Sequence, residues 1–189
     1  EDVSDGSGGT LADAGAVYAY PSLSGFTTTY YVDGATGNDA NSGTTWAGAF
    51  ATLTQALSVA TGSDEIWIAE GTYTPTSGTD RTASFTITGD QDGLEIYGGF
   101  ENGDANLSDR NPTDHPVILS GDIGTPGNPT DNSYHVLFLD GGTGSGIGTN
   151  VAANVTPATV LDGVTVTGGN ADDMFPNNIG GGLLCDGNG

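Results

Sequence analysis

Lysine is missing from this chain, and arginine occurs only at Arg81 and Arg110, against 24 aspartates and glutamates. Without clustered cations the surface cannot neutralise a run of phosphates, which excludes nucleic acid and anionic membrane surfaces as partners. A single cysteine, Cys185, rules out an internal disulfide and every zinc-site spacing. It follows Leu183-Leu184 in an apolar run, which predicts a small buried thiol. No apolar run is long enough to cross a bilayer, and no cationic leader of the secretory kind opens the sequence. A first residue Glu1 in place of methionine predicts a processed form. The net charge of −22 leaves a self-repelling surface, and Ca²⁺ is the counter-ion expected to relieve it.

What is present is glycine, 33 residues of it, with an apolar share of 35%. That share is low for a globular chain, yet it suffices where each turn of a coil buries one inward stripe. Residues 1–28 read as an extended segment. Within it Ala16, Val17, Tyr18, Ala19 and Tyr20 alternate small and aromatic side chains as a strand does, until Pro21 stops the pattern. Tyr30-Tyr31-Val32-Asp33 opens the main body, followed by a loop of turn formers, Gly34 to Gly43. Residues 50–60 form the only good helix candidate. Thr52 and Gln55 stand at capping-box spacing, and Phe50, Leu53, Leu57 and Val59 supply an apolar face.

From there short apolar strands recur: Ile66 and Ile68, Leu94 and Ile96, 117–119, 136–139, Val164 and Val166, then Leu183 and Leu184. Their spacing, about 19 to 28 residues, is that of a coiled solenoid with variable loops. Six rungs about 4.8 Å apart predict a core on the order of 30 Å long. The competing reading is an antiparallel sandwich. The run Gly180-Gly181-Gly182-Leu183-Leu184-Cys185 breaks off in mid-pattern, so Leu183 and Leu184 are expected at an uncapped end. Either further rungs of a longer protein cover them or a neighbouring molecule does.

Three families of motif carry a resemblance. YYVDGATGNDANSGTTWAGAFATLTQAL followed by DEIWIAEGTYTP resembles the N-terminal cap and first rung of right-handed parallel β-helix proteins. LEIYGGF, RNPTDHPVILSGDI, NSYHVLFLDG, LDGVTVTGGNAD and GGGLLCDGNG are similar to later pieces of the same class, in order. The likeness spans about residues 29–189 and extends to large bacterial cell-surface β-helix proteins, including the polymorphic outer-membrane type. The segment GTLADAGAVYAY resembles the end of an integrin-type propeller (FG-GAP) repeat. The resemblance implies an all-β fold: a right-handed parallel β-helix over 29–189, with a short N-terminal capping helix and an extended segment before it. It also implies a secreted or cell-surface location, and little about chemistry.

Pectate lyases share that fold class and use a cationic base with Ca²⁺. Arg81 and Arg110 are the only bases of that kind here, and both read as structural, Arg81 in a polar stretch and Arg110 as the partner of a carboxylate. Hydrolases of this shape use clustered carboxylates. Asp172 and Asp173 are adjacent, however, and neighbours on a strand face opposite ways. His115 precedes Pro116 and His135 follows Tyr134, with no nucleophile motif beside either. The residues therefore point to a protein that is not an enzyme. Hard oxygen ligands gather in three places, Asp33, Asn38, Asp39 and Asn41 in one loop, Asn170, Asp172 and Asp173 in a second and Asp122 and Asp131 in a third, and at least one, above all the first, is expected to bind Ca²⁺. The competing reading makes them turn residues. Asn106 and Asn154 head N-glycosylation sequons.

The functional expectation is an extracellular structural protein, a subunit of a self-assembling filament or part of a long surface rod. Its partner is itself, head to tail, through Ala16, Val17, Tyr18 and Tyr20 at one end and Leu183 and Leu184 at the other. The alternatives are a non-catalytic adhesin binding surface polysaccharide, with Trp67 and the tyrosines as stacking platforms, and a polysaccharide lyase or hydrolase.

Overall fold

The computed structural model describes residues 27–141, 155–174 and 177–186. Among them are ten strands and one α-helix: β1 (Thr29–Val32), α1 (Leu53–Val59), β2 (Glu65–Ala69), β3 (Gly71–Tyr73), β4 (Phe85–Thr88), β5 (Glu95–Phe100), β6 (Val117–Ser120), β7 (Leu137–Asp140), β8 (Val160–Asp162), β9 (Val164–Thr167) and β10 (Leu183–Asp186). Every strand pairing is parallel. The first sheet runs β1-β2-β5-β8, the second β3-β6-β9 and the third β4-β7-β10. From β2 on, the chain visits the three sheets in rotation, and three circuits are complete by β10. The antiparallel alternative is thereby excluded, and the fold is all-β with parallel sheets and one helix.

Alternation within each strand decides what faces the centre. Ile66 and Ile68 are wholly buried, and register stacks Ile66 between Tyr30 and Ile96, with Leu161 beyond. In the second sheet Tyr73, Leu119 and Val166 align, and in the third Phe85, Leu137 and Leu183. The inward residues of the first two circuits join Phe50, Leu53, Ala56 and Leu57 in one hydrophobic core.

Some of the apolar runs are successive faces, as from Ile96 to Val117, whereas Ile66 and Ile96 stack on one face, and the described residues hold three rungs where six were expected. Partners stacked in register lie farther apart: Glu65 and Glu95 by 30 residues, Val117 and Val164 by 47. Loops of very different length separate the faces. Glu70 alone joins β2 to β3, whereas residues 101–116 separate β5 from β6.

The helix is shorter than expected. Phe50 makes an isolated parallel bridge to Val32, and Val59 is 39% exposed. Leu53, Ala56 and Leu57 form the buried face. The Thr52 hydroxyl accepts from the Gln55 N–H, and the Asp39 carboxylate accepts from the N–H groups of Ala51 and Thr52. At the other end the Gln91 amide, itself buried, donates to the carbonyls of Leu57 (2.7 Å) and Ala60 (3.1 Å). At each end of α1, side chains from outside the helix meet some of the backbone groups that have no partner within it.

Burial fades along the coil. In the stack of the third sheet Phe85 is 0% exposed, Leu137 2% and Leu183 47%. Cys185, expected to be buried, is exposed on the last described strand. The expected strand Ala16, Val17, Tyr18 and Tyr20 lies outside the described residues, as does Asn154.

Candidate functional site

The two arginines hold the third circuit to the first two. Arg81 sits just before β4. Its Nε donates to the Asn132 carbonyl in the second circuit (2.7 Å), and its Nη2 to the Asn170 carbonyl (3.0 Å) and Asp172 Oδ1 (2.5 Å) in the third. The guanidinium also lies 4.2 Å from the centre of the Tyr134 ring. The Tyr134 hydroxyl donates to Asp173 Oδ2, so one corner ties all three circuits together. Arg110 ties the second circuit to the third at the first sheet, 5.0 Å over the Tyr97 ring and paired with Asp162 on β8. Each guanidinium is about one-fifth exposed while its carboxylate is about half exposed. Such half-solvated pairs contribute at most about 1 kcal/mol each, with a cation–π contact adding about 0.5–1 kcal/mol. The carboxylate partnership expected for Arg110 is present, and Arg81 has one as well.

Electrostatics follow these contacts. The Arg110 guanidinium holds the Asp162 carboxyl below the usual carboxylate range. The Met174 N–H and then the Tyr134 hydroxyl do so for Asp173. Conversely, the Tyr134 hydroxyl is raised by its bond to Asp173. Between the first two circuits His115 Nδ1 lies 3.1 Å from Glu70 Oε2, and that hydrogen bond raises the imidazole.

The acidic loops are filled from within. Asp33 is nearly buried, and its carboxylate accepts from the N–H groups of Ala35 and Thr36, the Thr36 hydroxyl and the Asn102 amide. Burial alone pushes its carboxyl up, but those hydrogen bonds together bring it below the ordinary value. Asp39 serves the start of α1, and Asn41 donates to the Ala49 carbonyl (3.0 Å). Asp172 and Asp173 face Arg81 and Tyr134. The structure thus brings each expected ligand set into turns and ion pairs. Among the described residues no three His, Cys, Asp or Glu side chains converge as a metal site. Asn106 is exposed and caps a short 3₁₀ turn, where its amide donates to Asp109 (3.1 Å).

Trp67 is not a free stacking platform. It is 7% exposed and lies flat against Phe100, with ring centres 4.5 Å apart and planes at 8°. Tyr31 meets it edge-on, and Trp46 packs on both Tyr31 and Phe100. The Trp67 indole and Tyr97 hydroxyl donate to Glu65 and Glu95, whose strands are adjacent. This outer cluster seals the first sheet beneath the loops at 43–50 and 101–111.

Sequence reasoning missed the roles of Asp64, Gln91 and Asp92. Asp64 is buried and accepts from Thr28 N–H, Thr61 N–H and the Thr61 hydroxyl. The Thr61-Gly62-Ser63-Asp64 tetrad is a turn signal that had pointed there. Asp92 gathers Thr156 and Thr159 hydroxyls from the third circuit. Nothing in the local sequence marks Gln91 as the helix's C-terminal cap.

At the far end Leu183 and Ile179 are each 47% exposed and Met174 81%. No helix among the described residues is long and apolar enough to cross a membrane. Residues 35–167 match a family model whose description is "Protein of unknown function (DUF1565)". No curated protein and no solved structure matches the chain.

Proposed function

We propose that this chain, which belongs to the DUF1565 family through its match over residues 35–167, is a right-handed parallel β-helix serving as a structural element of an extracellular surface assembly. The observation that carries the reading is the contrast along one inward stack, Phe85 and Leu137 buried and Leu183 half exposed. An inward position left half exposed suits pairing with a further strand, because unpaired edges and apolar core template pairing. The partner proposed is a second copy, head to tail. Contact between unlike ends is heterologous and propagates as a filament unless its rotation closes.

A structural rather than catalytic role is supported by the use of the cations. Both arginines and His115 are engaged by carboxylates, and His135 Nδ1 lies 3.1 Å from the Gly180 carbonyl. Ca²⁺ enters the proposal as a screening ion for a chain of net charge −22, favouring association of surfaces that otherwise repel. Carbohydrate binding without catalysis is the second reading, now resting on the partly exposed Tyr97 rather than on Trp67.

Electron microscopy of the native material tests the proposal, with filaments of one-subunit axial repeat expected and strengthened by Ca²⁺ over Na⁺ at matched ionic strength. Single particles at every concentration, together with release of unsaturated or reducing ends from acidic glycans, would replace it with the lyase reading.

A further inference from the structure

Among the described residues, the buried side-chain nitrogen and oxygen atoms left without a hydrogen-bond partner all fall in residues 131–135: Asp131 Oδ1, Asn132 Oδ1, Ser133 Oγ and His135 Nε2. Asn132 is 7% exposed, Ser133 0% and His135 9%, so bulk solvent does not meet their needs. An orphaned polar atom at such depth costs about 1–3 kcal/mol. Four of them within five residues point to a bound group.

Neighbouring contacts fix the chemistry of that group. The Gly180 carbonyl can only accept, so His135 Nδ1, 3.1 Å away, carries the ring proton and Nε2 presents a bare lone pair. The Asn132 amide nitrogen donates to the Gly168 carbonyl (2.6 Å), which leaves Oδ1 as an acceptor. Asp131 Oδ2 accepts from the Thr125 N–H (3.0 Å), and Oδ1 is the second carboxylate acceptor. The serine hydroxyl is the one donor among the four atoms. No side-chain cation answers these lone pairs, because Arg81 commits Nε to the Asn132 carbonyl and Nη2 to Asn170 and Asp172.

The third circuit gathers these side chains. Gly168 and Gly180, whose carbonyls receive Asn132 and His135, each precede a glycine. Those two glycines press together so closely that a Cβ on Gly169 would strike the Gly181 carbonyl. Asn132 and His135 therefore reach toward one place. Between them Ser133 is pinned by its backbone, with its N–H on the Gly121 carbonyl (2.9 Å) and its carbonyl receiving the Asn170 N–H (2.8 Å). Tyr134 turns outward to Arg81 and Asp173, whereas Ser133 and His135 are buried. An imidazole that donates one ring N–H to a backbone carbonyl is held in the tautomer and orientation of a metal ligand.

We propose that this corner binds a divalent first-row cation of the zinc class through His135 Nε2, Asn132 Oδ1 and Ser133 Oγ, with the Asp131 carboxylate balancing its charge. The imidazole selects such an ion over Ca²⁺, which takes oxygen ligands. With one imidazole and one carboxylate, the site is not a cluster of three His, Cys, Asp or Glu side chains. Its ligands lie on the second circuit while the carbonyls that orient them belong to the third, so the bound ion stiffens the join between the two. The proposal does not depend on the filament.

Titration of Zn²⁺ into the metal-free full chain tests it, with the ring nitrogens of both histidines followed by long-range proton–nitrogen NMR. Cys185→Ser removes the exposed thiol as a competing ligand. His115, paired with Glu70 at the surface, is the internal control. The Nδ1–H tautomer is expected at His135 before titration, and its Nε2 resonance should move as Zn²⁺ reaches about one equivalent but not with the same amount of Ca²⁺. Ser133→Ala deletes an oxygen that has no partner, so the melting temperature without metal should hold while Zn²⁺ binds at least about tenfold more weakly. An Nε2 resonance unmoved in excess Zn²⁺ assigns the corner to buried water and overturns the proposal, as does equal movement at His115 or undiminished affinity in Ser133→Ala. A large loss of metal-free stability in Ser133→Ala would give Oγ a partner within the protein and overturn it as well.

Discussion

The first and third circuits of this coil are built from the same kinds of residue at matching positions, yet they differ in closure. Around the first, Ile66, Ile68 and Phe85 are wholly buried beneath α1, whose ends are satisfied by Asp39 and Gln91. In the third, Val164, Val166 and Leu161 are only partly buried and Leu183 is half exposed. Its attachment relies instead on peripheral polar contacts: Arg81 with Asp172, Arg110 with Asp162, and Asp92 with Thr156. Among the described residues a circuit is thus stabilised by burial where α1 covers it and by outer staples where no such cover is present. Stability should grade along the coil.

The largest expected effect compares two residues of one stack. Phe85→Ala removes a fully buried ring and should cost about 3–5 kcal/mol in chemical denaturation. Leu183→Ala, two strands away at the same inward position, should cost less than about 1 kcal/mol in the monomer, since half its surface is already wet. Equal losses would break the comparison. Next comes Gly163, where the chain turns from β8 to β9 at φ +74° and a Cβ would collide with the Gly98 carbonyl. Gly163→Ala should cost on the order of 2 kcal/mol and release the third circuit first, seen as selective loss of protection at Val164–Thr167.

Gln91→Leu strands two helix carbonyls and the Thr88 N–H, and should lower stability by about 1–3 kcal/mol at the opposite end. Protection should fall in α1 and β4 and hold in β9. The smallest effects are those of pH. Asp162 and Asp173 are depressed in the folded state, so their contribution is present above the unfolded carboxylate value of about 3.9 and lost as pH falls through the folded one. His115 is raised, so its contribution is full below about 6.5 and lost as pH rises through its folded value. Acid should therefore loosen the third circuit first, while mild alkali weakens the Glu70–His115 tie between the first two. Exchange profiles across pH, with His115→Gln erasing the alkaline limb, check both signs.

Strand positions, the helix with its Thr52 cap, and the pairing of Arg110 with a carboxylate were legible in the sequence, because each is a local pattern. The number of rungs was not. An apolar run looks the same whether the next run lies on the neighbouring face or one rung up, and only pairing tells Ile66–Ile96 from Ile66–Val117. Loop carboxylates were ambiguous for a related reason. The oxygens that suit a hard cation also suit backbone N–H groups of a turn, and Asp33 and Asp39 are filled by the latter. Trp67 read as a possible platform because aromatic side chains on an outward position give no sign of a covering loop, here supplied by Phe100 and Trp46.

The proposed association places the joining surface on the third circuit. Amide exchange of Leu183–Asp186 in dilute and in concentrated protein tests it most directly. The account predicts little protection on dilution and a marked slowing on association, with β2 and β5 protected in both; β10 amides equally protected, or equally open, under both conditions would contradict it.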